Sequence, residues 1–542
     1  MKLMHRLTVS GGLMLCAVFT QAQTFTSSNL PIVVINTNGQ TIPDEPKIVV
    51  DMGIIDNGPG QRNNMTDPFN NYNGKIGIEI RGSSSQMFPK KQYGIELRDA
   101  GGNDISAPLL GMPQEADWVL FAPYNDKSLM RDVLAYKLGR DLGRYAPRTR
   151  YCELVLNGQY QGVYVLIEKI KRDNHRVDVN KLDPDENSGN SLTGGYIIKI
   201  DKETGSGNGG WTSNFPPPGR NGSQTIYYQY DYPKAANITT TQRNYIRQFM
   251  IDFETTLSGA GYTNPVTGYS RYIDVNSFID FFIVNEVSKN VDGYRLSTFM
   301  HKQRDSDGGK LAMGPVWDFN LGFGNADYCT SGTTGGWVTG FNTICPGDYW
   351  LIPFWWNRLY QDNGYRNKLA TRWAELRADK YSTARIHSYI DSVYTVLNAE
   401  AAARNFQRWP VLGQYVWPNY YVGPTFQAEV EWLKSWITSR MSWLDANMPQ
   451  LITGVEGFPG LSIYPNPFSH ELYMEYSLTR PGTFSAEWFD ATGKTILQYE
   501  ETKPQAGKYQ ATIRTDSWPA GFYYYKSQTS EGNTVTGKYL RN

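Results

Sequence analysis

A chain of 542 residues exceeds one ordinary domain and predicts roughly two to four. Lys plus Arg and Asp plus Glu both number 52, so no net field favours nucleic acid or an anionic membrane. A hydrophobic fraction of 40% supports a folded core, and 37 Tyr with 15 Trp suit an exported, β-rich or glycan-facing protein without identifying one.

The first 22 residues read as a secretory signal. Lys2, His5 and Arg6 precede an apolar run from Leu7 to Phe19 that ends in Thr20-Gln21-Ala22. The run is short for a membrane span, and no later stretch reaches ~18 apolar residues, so the mature chain is expected to carry no transmembrane segment. Residues 23–74 read as an N-terminal β segment, with strand-like runs Pro31–Asn36 and Lys47–Met52 and then a Gly/Asn-rich loop to Asn73. Lys75–Arg81 alternates apolar and polar residues, as a half-buried strand does. Arg81–Gln86 is a turn, and Lys90–Leu97 reads as the next strand, carrying Lys90, Lys91 and Tyr93. After Trp118–Phe121, Asp126 or Ser128 caps a helix to about Leu142, with Leu129, Val133, Leu134 and Leu138 on one face. Tyr151–Leu156 and Gly162–Ile167 form a hairpin across Asn157-Gly158. Glu168 leaves it, and Tyr196–Ile200 is a further strand. Residues 240–290 and 352–447 are predicted helical. A break at Gly454–Gly460 opens a tail of short strands from Leu461 to Asn542, read as a small β-sandwich.

Two acidic positions stand out. Asp292 follows an apolar turn in Asn290-Val291-Asp292, and Asp318 lies at a strand end in Pro315-Val316-Trp317-Asp318-Phe319-Asn320. A strand-like segment, Ser297–His301, and a turn, Asp305–Lys310, lie between them, so a hairpin can bring both carboxylates to one point. That suits a metal ligand plus a base that orients an attacking hydroxyl, as in phosphoryl transfer, with Trp317 and Phe319 fixing Asp318 from beneath. Two aspartates in surface turns are the other reading.

Other features carry paired readings. Lys90 and Lys91 either solvate a strand edge or meet phosphate. Arg81–Gln86 either cradles phosphates or is a plain β-turn. Tyr349-Trp350 and Phe354-Trp355-Trp356 are either core or a glycan-stacking platform. Asp99, Asn103 and Asp104 are either a solvated turn or a calcium loop lacking EF-hand periodicity. Cys16 leaves with the signal; Cys329 and Cys345, flanking a Gly/Thr-rich loop, are the expected disulfide in an exported chain, and Cys152 the buried free thiol. No Cys/His spacing resembles a zinc site.

The order strand-with-Lys, helix, two strands, connector, helices, Asp, hairpin, Asp is that of the two lobes of a protein kinase. HRD and DFG are absent, which excludes a conventional kinase. Arg81-Gly82-Ser83-Ser84-Ser85, Pro89-Lys90-Lys91-Gln92-Tyr93, Asp126-Lys127-Ser128-Leu129-Met130-Arg131, Asn157-Gly158-Gln159-Tyr160-Gln161-Gly162-Val163-Tyr164 and Trp317-Asp318-Phe319-Asn320 resemble the CotH family of spore-coat-type atypical kinases, in order, across about residues 30–450. The resemblance implies an α+β fold of divergent protein-kinase-like, two-lobed form, with an N-lobe over 75–170 and a largely helical C-lobe over 171–453. It implies transfer of the ATP γ-phosphoryl group to Ser or Thr of an unidentified protein with Mg²⁺ or Mn²⁺. Carried over, Asp292 is the catalytic Asp, and Asp318 with Asn320 the metal ligands. Lys91 or Lys90 meets phosphate, and Arg81, Ser83, Arg131 and Glu168 complete the nucleotide-binding set. The family usually has Asp where this chain has Asn320, which removes a charge from a hard-cation site. A kinase-like scaffold kept for surface binding or adhesion is therefore the alternative reading.

The tail has its own resemblance. Ile463-Tyr464-Pro465-Asn466-Pro467, Phe489-Asp490-Ala491-Thr492-Gly493-Lys494 and Ala520-Gly521-Phe522-Tyr523-Tyr524 look like a type A sorting domain of type IX secretion over 461–542, an all-β, Ig-like sandwich. It implies passage through outer-membrane secretion machinery to the cell surface or the medium.

Overall fold

The computed structural model describes residues 25–203, 209–449, 461–478, 480–530 and 534–541. The expected signal at 1–22 and the break at 454–460 lie outside the described residues.

Seven strands close into a barrel: β1 (Ile32–Asn36), β2 (Ile48–Ile55), β3 (Tyr72–Arg81), β4 (Gln92–Arg98), β5 (Asp117–Phe121), β6 (Thr149–Leu156) and β7 (Gln159–Glu168). The order around the barrel is β6-β7-β5-β4-β3-β2-β1, and parallel pairing of β6 with β1, Glu153 opposite Ile32 through Leu156 opposite Ile35, closes the ring. Closure leaves no unpaired strand edge. Alternate residues fill the interior, among them Ile76, Ile78, Ile95, Trp118, Leu120, Leu154 and Leu166. The barrel takes in Ile32–Asn36 and Ile48–Ile55, and β3 runs across position 74, so the expected separate segment 23–74 is corrected: hydrogen-bonded neighbours on both sides make those strands part of the barrel. Between β6 and β7, Asn157 and Gly158 both have positive φ, 51° and 74°, the backbone a two-residue hairpin needs.

Helix α1 (Arg131–Asp141) sits between β5 and β6 in the chain. Its cap, Met130, lies two residues beyond Ser128 and four beyond Asp126, the caps the sequence suggests. Asp126 accepts from the Ser128 and Arg131 N–H groups, so its carboxylate satisfies the helix start from outside. After the barrel comes an antiparallel sheet in which β8 (Tyr196–Ile200) lies between β10 (Tyr227–Tyr232) and β11 (Thr298–Lys302), with β9 (Gly210–Thr212) and β12 (Leu311–Met313) at its two edges. Helix α2 (Thr240–Ser258) begins in a capping box between Thr239 and Gln242, and α3 (Val275–Ser288) begins at Asp274, which caps the Asn276 and Ser277 amides. Nearly every residue of α3 is buried, as befits a helix apolar on all sides. It packs on α1 and on two of the following helices, α5 and α8, in the series α4 (Trp355–Tyr360), α5 (Asn363–Ala378), α6 (Thr383–Asn398), α7 (Ala401–Arg408) and α8 (Phe426–Asn447). Trp355 and Trp356 are buried in this core, which decides the aromatic cluster in favour of packing, while Tyr349 stays exposed. Asp99 and Asn103 bond each other in an exposed turn.

From 461 onward the chain is all β. A three-stranded sheet (Ser462–Tyr464, Glu471–Leu478, Gly507–Arg514) and a four-stranded one (Gly482–Phe489, Thr495–Lys503, Gly521–Thr529, Thr534–Arg541) share one core with Leu472, Met474, Trp488 and Tyr525.

Candidate active site

Helix α3 ends at Lys289, whose left-handed backbone (φ 44°) turns the chain into Asn290-Val291-Asp292. The ammonium of Lys289 donates to the carbonyls of Thr330, Thr333 and Gly335, so the turn is pinned. Strand β12 ends at Met313, and the chain then reaches Asp318, itself left-handed at φ 63°. A non-glycine residue in that region persists only when its surroundings over-determine it, and here they do. The Asp318 N–H donates to the Tyr136 hydroxyl at 3.2 Å, and its carbonyl accepts from the Asn290 side chain at 3.3 Å. The next N–H, of Phe319, donates to Asp132 Oδ1 at 2.7 Å. Asp132 and Tyr136 are one turn apart on α1, so that helix aims the Asp318 segment, and Asn290 ties it to the Asp292 turn. Phe319 is buried beneath, and Trp317 stacks on Tyr136.

The Asp318 side chain is open to solvent, yet crowding by surrounding protein, together with the charges of Asp292 and Asp201, pushes its carboxyl up to about 6. Arg81 and Lys202 oppose the shift. These five charged groups therefore share one locality, assembled from the end of β3, the residues after β8 and the two aspartate turns. The Arg81 guanidinium lies 5.6 Å from the Trp317 ring centre, and Lys202 sits 5.3 Å from that of Trp350. Burial drives Asp132 well above the ordinary carboxylate range, with Asp318 adding to the shift; the Oδ2 of Asp132 is buried and finds no partner among the described residues.

Asp292 is held by Arg295, whose guanidinium donates to Asp292 Oδ1 at 2.8 Å. The other oxygen, Oδ2, accepts no hydrogen bond among the described residues, and the side chain is 18% exposed. Asn320 donates its amide nitrogen to Asn125 at 3.3 Å, while its Oδ1 is uncommitted among the described residues. Asp318 and Asp292 are oxygen donors in one place where the acids outnumber the bases, which suits a hard divalent cation. Among the described residues no three His, Cys, Asp or Glu side chains converge as a metal group.

Three expected nucleotide contacts are committed to protein partners. Lys90 precedes β4 rather than riding on it. It is 1% exposed and donates to Val163 O at 2.6 Å and Asn405 Oδ1 at 2.8 Å, so its charge is spent inside the protein. Arg131, fully buried, is paired to the carboxylate of Asp126. Glu168, fully buried, is braced by Arg148 at 2.8 Å and Arg176 at 3.3 Å. Lys91 is half-buried and donates to Gln86 O, tying it to the exposed turn that carries Ser83 beyond Arg81. Cys329 and Cys345 form a disulfide, and Cys152 is buried and free.

Sequence reasoning missed Asp201, Lys202, Asn290, Arg295, Asp132 and Tyr136. The i, i+3 spacing of Asp292 and Arg295 and the i, i+4 spacing of Asp132 and Tyr136 were usable signals; nothing local marks Asp201 or Lys202. A cavity of about 640 Å³, lined by Arg144, Asp280, Lys368 and Arg372 among others, shares no residue with this site.

Comparison with known proteins gives the family. A family model described as CotH kinase protein matches residues 78–444. One described as secretion system C-terminal sorting domain matches residues 462–540. The inner spore coat protein H of Bacillus subtilis (strain 168) is 23% identical over 282 residues, spanning 50% of this chain and 65% of the relative.

Proposed function

Because the chain belongs to the CotH kinase protein family and carries a secretion-system sorting domain, we propose that it is an exported atypical protein kinase. It transfers the γ-phosphoryl group of ATP to a Ser or Thr hydroxyl of a protein acceptor. The observation that carries this reading is Asp292 Oδ2, which accepts no hydrogen bond among the described residues, in the locality that contains Asp318, Arg81 and Lys202. On this reading Asp292 Oδ2 accepts the hydrogen bond of the incoming hydroxyl and orients its oxygen for attack. Arg81 and Lys202, with Lys91 at the neighbouring turn, offset the phosphate charge. Asp318, with Asn320, would hold Mg²⁺ or Mn²⁺, which when bound neutralises phosphate charge. The barrel and the sheet–helix region that flank the site correspond to the two lobes of the kinase-like arrangement. The sorting tail supports work at the cell surface or in the medium.

The experiment incubates the mature chain with γ-labelled ATP and Mg²⁺ or Mn²⁺, with Asp292→Asn and Asp318→Asn alongside, and counts label on the protein and on casein. Label that disappears in both variants supports the enzyme. No label, with no nucleotide-induced rise in Tm, rejects it in favour of a binding scaffold. That second reading is favoured by Asn320 and by the lack of a three-acid metal group among the described residues.

A further inference from the structure

Arg295 is an unusual residue to find beside a reactive carboxylate, because its side chain is only 2% exposed and every one of its nitrogens is engaged. Nε donates to Val291 O at 2.8 Å. One terminal nitrogen donates to Asp348 Oδ1 at 3.1 Å and Trp350 O at 3.2 Å, and the other to Asp292 Oδ1 at 2.8 Å. The guanidinium lies 4.1 Å from the Phe341 ring centre. A planar fork fixed on one side by Asp348, a carbonyl and an aromatic face leaves the Asp292 carboxylate little rotation about its side-chain bonds. Only Oδ2 accepts no hydrogen bond among the described residues.

The anchoring side of this cradle has a covalent frame. Phe341 opens the short helical turn Phe341–Ile344; the Cys345 N–H donates to Phe341 O at 2.7 Å, and the Asp348 N–H to Cys345 O at 3.1 Å. Cys345 is bonded to Cys329. The residue before Cys329, Tyr328, feels the charges of Asp292, Arg295, Asp348 and Asp318. The disulfide therefore joins the two segments that border Asp292 on its Arg295 side.

We propose that Arg295 is a positioning residue for Asp292, aimed by Asp348 and Phe341 on the loop that Cys329–Cys345 closes, so that phosphoryl transfer reaches full rate only when that disulfide is in place. The proposal rests on the phosphoryl-transfer reading above. It ties competence to the oxidising environment met on export, where such a bond persists.

The test uses the mature chain. Arg295→Met should lower kcat about 100-fold, the scale set by a displacement of about 1 Å in a reacting group. KM for ATP and the ATP-induced rise in Tm should stay within about twofold, because Arg295 touches neither Asp318 nor Arg81. Arg295→Lys should restore part of kcat, and Asp348→Asn and the double variant Cys329→Ser/Cys345→Ser should reproduce the kcat loss in milder form. An equal loss of kcat and of ATP affinity, no rescue by Lys, or a disulfide variant as active as the parent would overturn the proposal. Where a variant unfolds, a double-mutant cycle in Tm between Asp292→Asn and Arg295→Lys decides whether the pair is coupled, and additivity counts against the proposal. A parent chain without transfer activity is a different outcome: it rejects the kinase reading itself.

Discussion

Replacing Lys90 with Met separates a buried structural cation from a phosphate ligand. Its ammonium is almost wholly enclosed, and burial lowers its pKa from the ordinary 10.5 to about 7. A tenfold change in a proton-binding constant is worth about 1.4 kcal/mol, so holding the charge inside costs about 5 kcal/mol when fully protonated. This is the net cost, already eased by the hydrogen bonds to Val163 O and Asn405 and by the Tyr164 ring 5.0 Å away. Because the folded-state value is the depressed one, between pH 7 and about 10 the unfolded chain holds a proton that the folded chain has released. Stability therefore rises with pH over that window, by up to about 1.4 kcal/mol for each step of one in pH. Below pH 7 both states are protonated, and the slope from this group vanishes. Chemical unfolding at pH 6.5, 8.5 and 10 should show the parent gaining on Lys90→Met by about 3–4 kcal/mol across that range, with titrations common to both proteins cancelling. ATP affinity of the variant should stay within about threefold of the parent, since the side chain reaches only protein acceptors. Parallel stability curves would refute the buried-cation argument, and a collapse of ATP affinity would restore Lys90 to the phosphate site.

Three further outcomes are expected. Transfer activity should fall as pH drops through about 6, where Asp318 takes up a proton; Asp201→Asn should move this limb to lower pH and Arg81→Met to higher pH, read from the pH–rate profile. Arg81→Met should also weaken ATP binding about 10- to 100-fold by calorimetry, the loss of a charge-assisted contact. Arg440→Met should cost about 3–5 kcal/mol in denaturant unfolding, because Arg440 and Glu286 are both fully buried and paired at 3.1 Å; adding Glu286→Gln should return part of the loss.

Elements with local signals were legible in the order of residues. The Asn157-Gly158 hairpin, the strand Tyr196–Ile200, the helical character of 240–290 (though not its division into Thr240–Ser258 and Val275–Ser288) and the strand-rich tail are written in period, turn residues and caps, which depend on neighbours a few positions away. The motifs around Asp292 and Asp318 were legible too, because both sit in short, ordered runs. Which charges share a place was settled by packing. Lys90 and Lys91 are adjacent in the chain, yet one is swallowed by the contact with Val163 and Asn405 and the other stays at the surface turn. Arg131 and Glu168 looked like ligands but are neutralised by Asp126, Arg148 and Arg176. Asp201 and Lys202 carry no local mark and join the site only because β8 ends beside the two aspartate turns. Burial and pairing of a charge are properties of contacts between residues far apart in sequence. Composition and spacing can nominate a charged side chain, but only the packed chain determines whether it faces a ligand or another part of itself.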